Sequence, residues 1–317
     1  MMMTKAFELV NLMQADRNRK LLKVAVYATE RCNSHCKICS MWMKKNPQDM
    51  SIEIFTKIVD GIDKDIHLCV LGGELLLHPD IDKILTILSD RECSYNIETN
   101  GILADRLIEL TKEYEIPEVS LSCDGTGEVY KKIRGVDNYD NVVKLVEELA
   151  SITKLNINYV ICRWNSREEL LKVKELCEKY GASLSVEIYD EFEYLGTPDG
   201  MRSNQIYKAD DLQAFPRGLL LSLYDKWVSG QLYLPCRAVR WACSINPNGN
   251  VYLCTHKMVL LGSLKDTSLK KIWNSEKTKK IQAKYRSCNG CWSGCYRNFD
   301  VAMFTLKHPK YLIGALK

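Results

Sequence analysis

Between residues 29 and 42 the chain reads TERCNSHCKICSMW, which sets Cys32, Cys36 and Cys39 within eight positions. Such a spacing, Cys-x3-Cys-x2-Cys, is too tight for a disulfide framework. A structural zinc closes its tetrahedron with a fourth Cys or His, and His35, between two closely spaced ligands, is poorly placed to turn inward. Three thiolates with one open position make a site for chemistry rather than for folding. A second set follows far down the chain: Cys236, Cys243, Cys254, Cys288, Cys291 and Cys295. Two distant pairs meeting around one centre is the logic of a zinc ribbon or of a cubane cluster. The remaining five, Cys69, Cys93, Cys123, Cys162 and Cys177, stand singly in apolar contexts and are expected to be buried packing.

The elements that position these residues show in the hydrophobic pattern. β-rich runs at 21–28, 67–73, 94–99, 118–124, 156–162 and 183–189 alternate with amphipathic segments at 51–63, 79–90, 103–115, 139–150 and 166–180. Six strands separated by helices imply an α/β fold with a parallel sheet and right-handed crossovers. Chemistry in such folds gathers at the carboxyl ends of the strands. The cysteine loop follows the first strand, GGE (72–74) the second, TNG (99–101) the third and SCDG (122–125) the fourth. After residue 190 the pattern changes. Residues 209–229 read as helical, SINPNGNVYLC (244–254) as strand–turn–strand, and CNGCWSGC (288–295) as a ligand loop.

Composition narrows the class. The 317 residues, 46% hydrophobic and 26% charged, supply ample core for one large domain and a smaller one. A net charge of +4 without a dense Lys/Arg block argues against nucleic acid as partner. No apolar stretch approaches the roughly 20 residues of a membrane span, and the N-terminus lacks a signal-peptide core, so a cytoplasmic location is expected. Clustered cysteines in a reducing compartment read as metal ligands.

The cysteine loop resembles the signature of the radical S-adenosylmethionine (SAM) superfamily. The resemblance implies a 4Fe–4S cluster on Cys32, Cys36 and Cys39, with the amino and carboxylate groups of SAM on the fourth iron. One electron then splits SAM, and the resulting 5′-deoxyadenosyl radical takes a hydrogen atom from the substrate. It also implies a partial (β/α)6 TIM-like barrel. GGE is similar to the family motif that holds the SAM amino group, which gives Gly72, Gly73 and Glu74 that role. Backbone approach at the glycines and a carboxylate for an ammonium suit it. Asn100, Ser122 and Arg134 lie in segments resembling turns that contact SAM or substrate. Two departures are Ile38, where an aromatic is usual, and Leu75, where GGE is usually followed by proline. Ile38 still supplies an apolar shield.

The later cysteines resemble the SPASM extension, or its shortened twitch form, which holds auxiliary 4Fe–4S clusters. Full SPASM carries seven cysteines; six here imply at least one auxiliary cluster, with Cys236, Cys254, Cys288 and Cys291 the favoured ligands and Cys243 and Cys295 as substitutes. The division expected is an N-terminal helix (1–20), a barrel (21–200), a bridging helical segment (201–235), the small α+β cluster domain (236–298) and a tail (299–317). The expected activity is oxidation or epimerisation by radical SAM chemistry, fed by a reductant of flavodoxin or ferredoxin type. Some twenty residues before the first strand leave no room for a leader-binding domain, which favours a small sugar or cyclitol as substrate. The alternatives are a peptide presented by a separate leader-binding partner, and, in another class, a non-catalytic electron-transfer or zinc-binding protein. Cys123 and Cys162 are candidate hydrogen donors; Glu187, Tyr189 and Asp190 at the sixth strand end are candidate bases.

Overall fold

The computed structural model describes residues 2–198 and 218–308, with side chains from residue 10 onward. Strands β1 (Lys23–Thr29), β2 (His67–Gly72), β3 (Ser94–Thr99), β4 (Glu118–Ser122), β5 (Lys154–Ile161) and β6 (Ser183–Ile188) lie parallel and side by side in chain order. Their ends fall within two residues of those expected from sequence. Helix α1 (Met2–Asn18) precedes them. Helices α2 (Ile52–Asp60), α3 (Ile81–Asp90), α4 (Ala104–Glu113), α5 (Gly127–Arg134), α6 (Tyr139–Leu149) and α7 (Arg167–Tyr180) form the crossovers. Only α5, two turns long, goes unforeseen in the sequence. The result is the partial barrel expected.

Period-2 alternation sorts the strands into two faces. Val24, Val26, Leu68, Val70, Ile97, Val119, Leu121, Ile157 and Val186 face the helices and are buried in one apolar core. The opposite face carries His67, Cys69, Asn96, Glu98, Ser120, Asn156, Asn158 and Ser185, all lining a cavity of about 660 Å³. These polar groups bond across strands, as from Asn96 Nδ2 to Ser120 Oγ at 3.2 Å and from Ser185 Oγ to Asn156 Oδ1 at 2.8 Å. A closed TIM barrel fills this space with branched apolar side chains. Here it is a polar chamber.

The C-terminal region is joined to the barrel through the sheet. Helices α8 (Gly218–Ser222) and α9 (Tyr224–Val228) come first; the rest of the expected 209–229 helix lies outside the described residues. Strand β7 (Ala242–Ile245) then pairs parallel with β1, Cys243 opposite Val24. Antiparallel β8 (Asn250–Tyr252) and β9 (Leu260–Ser263) complete a nine-stranded sheet in the order β6-β5-β4-β3-β2-β1-β7-β8-β9. Helices α10 (Leu269–Asn274), α11 (Glu276–Lys284) and α12 (Gly294–Lys307) follow, and α12 runs through the 298/299 boundary drawn from the cysteine pattern. Among the described residues no helix is long and apolar enough to cross a membrane.

Candidate active site

The first cysteine loop leaves β1 at the barrel mouth and is fastened at both ends. On one side Thr29 Oγ1 donates to Asp49 Oδ1 at 2.6 Å, Arg31 Nε pairs with Asp49 Oδ2 at 2.8 Å, and buried Glu30 accepts from Lys44 Nζ at 2.6 Å and Tyr194 OH at 3.1 Å. On the other, the last carbonyls of α5 accept from the loop: Lys37 N to Ile133 O at 2.8 Å, His35 N to Arg134 O at 3.1 Å and Ser34 Oγ to Arg134 O at 2.8 Å. Unsatisfied carbonyls at a helix C-terminus take such donors readily. Gly135 permits the approach, since at φ +71° a Cβ would sit 2.3 Å from His35 O.

Cys32, Cys36 and Cys39 all line the barrel cavity, beside Gly73, Asn100, Ser122 and Arg134. Cys36 and Ile38 are buried in an apolar group with Ile133, Cys162 and Tyr189, which screens the loop from water. Burial pushes the Cys32 and Cys39 thiols up to about 11, against the pull of the Arg134 cation. Burial alone would lower Arg134, but Cys36 and Asp124 outweigh it and hold the guanidinium charged. Its Nη1 donates to Asp124 Oδ2 at 3.1 Å, while its Nε is buried with no hydrogen-bond partner. An orphaned buried donor costs about 1–3 kcal/mol. A dianionic or thiolate-rich group in the adjoining cavity would satisfy it. Three sulfurs, a cation with a spare donor and an apolar screen fit a cluster with SAM, and what that pair supplies when bound is one-electron cleavage of SAM.

Protons follow from the raised thiols. A thiol whose folded value exceeds its unfolded one stabilises the fold below about pH 9, and the contribution is lost as pH rises through about 11. Cluster-free protein is therefore expected to lose thermal stability steadily from pH 9 to 11. Ligand thiolates must form on loading, so reconstitution in weak buffer at pH 7.5 should release protons, and a pH-stat trace without release would contradict this ionisation state.

The GGE motif packs against the cysteine loop. A Cβ at Gly72 would lie 2.5 Å from Thr29 O, and one at Gly73 would lie 2.4 Å from Arg31 O. Both glycines therefore admit the cysteine loop's own backbone, which accepts from Gly73 N at 2.9 Å and Glu74 N at 2.7 Å. Glu74 is 1% exposed and does not line the cavity. Its carboxylate accepts from Asn100 N at 2.7 Å, Thr99 Oγ1 at 2.9 Å and Leu76 N at 3.1 Å. These bonds make Glu74 a brace between the ends of β2 and β3, while Gly73 beside it lines the cavity. Asn100, thus fixed, donates from Nδ2 to Asn33 Oδ1 at 2.9 Å, within the cysteine loop.

The later cysteines divide. Cys236, Cys254, Cys288 and Cys291 line a second cavity of about 340 Å³, and Cys236 N bonds Cys288 O at 2.7 Å. Thiolates on one zinc would sit roughly 3.8 Å apart. Among the described residues no three of these four sulfurs lie within 4.8 Å of one another. They surround a space for something larger than one ion, and a cubane suits it. Two of the six expected cysteines are elsewhere. Cys243, on β7, is 1% exposed inside the main apolar core, so pairing with β1 takes it away from any metal. Cys295 opens the first turn of α12 and faces the barrel chamber instead. Cys243→Ala is expected to leave C-terminal iron unchanged while costing about 1–2 kcal/mol of stability, and Cys295→Ala to leave both unchanged; iron assay and thermal melts check this.

The sixth strand end supplies the joint. Glu187 Oε2 accepts from Gly294 N at 2.7 Å, and Asp190 accepts from Trp292 N at 2.6 Å and Glu191 N at 3.0 Å. Tyr189 OH donates to Pro198 O at 2.6 Å. Glu187 and Asp190 thus carry bonds that seat the CNGCWSGC loop against the barrel, and all three residues expected as bases line the chamber. Asp190, Phe192 and Thr197 line both cavities, so the two are neighbours across that wall. Asp190 and His256 also bring ligand atoms within 4.8 Å of Cys291 Sγ. Cys123 and Cys162 are fully buried away from the chamber, and Cys123 Sγ bonds Gly125 O at 3.2 Å, which removes both as hydrogen donors. Glu98 also enters the chamber, where it accepts from Cys69 Sγ at 3.1 Å. Sequence reasoning passed over it because it stands mid-strand in SYNIET; its signal was a charge at an inward position of an otherwise buried strand.

The Radical SAM superfamily description matches residues 26–177, and the SPASM iron–sulfur cluster-binding domain matches residues 236–292. The chain belongs to the radical SAM superfamily and carries a SPASM domain. It is a radical SAM enzyme whose cofactors are SAM, its 4Fe–4S cluster and auxiliary iron–sulfur binding in the C-terminal domain. It is 28% identical over 209 residues to a GTP 3′,8-cyclase of Aliarcobacter butzleri (strain RM4018), over 62% of this chain and 64%, just under two thirds, of that protein. It is 24% identical over 294 residues to the mycofactocin maturase MftC of Mycobacterium tuberculosis (strain ATCC 25618 / H37Rv), over 84% of this chain and 73% of that protein. In fold it resembles Streptococcus suis SuiB bound to S-adenosylmethionine, with a TM-score of 0.66 at 18% identity over 88% of this chain and 74% of that one. SuiB has also been solved bound to the precursor peptide SuiA.

Proposed function

We propose that this chain modifies a peptide. SAM is cleaved at a cluster held by Cys32, Cys36 and Cys39, a hydrogen atom is taken from a residue of the peptide in the barrel chamber, and a separate protein presents the leader. Cys236, Cys254, Cys288 and Cys291 hold an auxiliary cluster across the wall, and a small electron-carrier protein supplies the electron. The observation that carries this reading is the extent of the likeness to the mycofactocin maturase, 84% of the chain, where the cyclase match takes in 62%. A chamber walled by Asn96, Ser120, Asn156, Asn158 and Ser185 offers both donors and acceptors, the chemistry a peptide backbone needs. The sugar or cyclitol favoured by the short N-terminal segment finds no support among these relatives.

The test is anaerobic. The chain with reconstituted clusters, SAM and dithionite is incubated with short peptides encoded beside its gene. 5′-Deoxyadenosine is expected to rise with one of them, to gain deuterium from the labelled peptide, and to accompany a mass change in that peptide. Deoxyadenosine formed with GTP and with none of the peptides would replace this reading by small-molecule cyclisation.

A further inference from the structure

No three sulfurs of the C-terminal cavity converge on one point, but a different set of donors in that cavity does. Ligand atoms of Asp190, His256 and Cys291 all lie within 4.8 Å of one another. The three residues line the same cavity of about 340 Å³ as Cys236, Cys254 and Cys288. Donors about 2.0–2.3 Å from a tetrahedral zinc stand roughly 3.3–3.8 Å apart, so a small side-chain adjustment brings these three onto a single ion. Among the described residues no other three His, Cys, Asp or Glu side chains converge so closely.

Their hydrogen bonds suit ligands. His256 lies in the connection between β8 and β9, and its Nδ1 donates to Glu191 O at 3.0 Å. A carbonyl only accepts, so Nδ1 carries the proton and Nε2 the lone pair. The Phe192 ring stacks on the imidazole with centroids 3.9 Å apart and fixes its plane. Asp190 accepts from Trp292 N at 2.6 Å and from Glu191 N at 3.0 Å, and each carboxylate oxygen keeps a further lone pair. Glu191 thus holds the histidine through its carbonyl and the aspartate through its N–H. A metal-binding imidazole passes its other N–H to a carbonyl or carboxylate in the same way, and ligating carboxylates are themselves hydrogen-bonded.

We propose that Asp190, His256 and Cys291 bind a single divalent ion, zinc or ferrous iron, in the cluster-free chain, and that this ion and the auxiliary cluster exclude one another because both need Cys291. Imidazole, carboxylate and thiolate together suit zinc or iron(II), whereas magnesium and calcium take oxygen ligands. Binding sends the Cys291 thiol proton to solvent and transfers no electron. The exclusion rests on the reading of Cys291 as an auxiliary-cluster ligand; the ion site itself does not. Far apart in the chain, the three donors meet only where the end of β6, the β8–β9 connection and the CNGCWSGC loop come together.

The test uses the full chain with Cys32, Cys36 and Cys39 replaced by alanine, free of iron and sulfide, with cobalt(II) as the probe. One equivalent is expected to bind and to show a thiolate-to-metal charge-transfer band in the near ultraviolet. His256→Ala should weaken that binding at least tenfold without moving the melting temperature of the metal-free chain, whereas Cys236→Ser should bind like its parent. Given iron and sulfide, parent and His256→Ala should each take up roughly four irons, the cubane stoichiometry. One equivalent of zinc added first should cut that count at least twofold in the parent and leave it unchanged in His256→Ala. Cobalt binding that survives His256→Ala, or that falls equally in Cys236→Ser, would overturn the ion site. A full iron count in the parent after zinc would overturn the exclusion, and loss of iron in His256→Ala alone would make His256 a cluster ligand and overturn it too. Iron uptake by neither chain, with cobalt bound as expected, would remove the auxiliary cluster and the exclusion but leave the ion site standing.

Discussion

Replacing Cys32, Cys36 and Cys39 together by alanine is expected to abolish 5′-deoxyadenosine formation, with a loss beyond a thousandfold, while roughly four irons remain bound, the stoichiometry of a four-thiolate cubane. The first site rests on three sulfurs of one loop that line the barrel cavity. The second site is built from other segments. Its four cysteines sit around their own cavity, tied by the bond between Cys236 and Cys288 and by the seat that Asp190 gives the Trp292 backbone. The variant should therefore fold and keep its C-terminal iron. Iron analysis with a SAM-cleavage assay checks both halves at once. Loss of all iron would show that the sites are not independent, and residual cleavage would move the SAM site to the C-terminal cavity.

Gly135→Ala is the second large effect, and Gly181→Ala is its control. Both glycines cap helices in the left-handed region, at φ +71° and +77°. A side chain in that region costs about 1–2 kcal/mol. Around Gly181 a Cβ meets nothing within 4 Å, so that variant should lose only this amount and keep its iron. At Gly135 the Cβ would lie 2.3 Å from His35 O and 2.8 Å from His35 Cβ. Nothing there is a flexible side-chain tip, so the loop must move. The bonds from His35, Ser34 and Lys37 to the end of α5 go with it, at about 1 kcal/mol each. Gly135→Ala is expected to lose roughly 3 kcal/mol more than Gly181→Ala in denaturant unfolding of the cluster-free chain, and to lose most of its SAM cleavage. Equal losses in the two variants would refute the role given to this contact.

Much of the site was legible because it is local. Three thiolates within eight positions, and turns following strands, are one-dimensional facts, and the βα alternation places them at one end of a parallel sheet. Cys288 and Cys291 were legible for the same reason, being two residues apart in one loop. What sequence could not carry is which face a side chain takes once distant segments meet. Cys243 reads as a ligand until β7 pairs with β1 and turns it into the core. Glu187 and Asp190 read as bases until the cysteine loop of the C-terminal domain lands on them. Local motifs along the chain carried the resemblance to the family, the βα order of its barrel and the three clustered thiols of the first loop. Tertiary structure alone decided which cysteines share a cavity and which carboxylates face the chamber, because hydrogen-bond partners and burial are set by segments that the chain brings together only on folding.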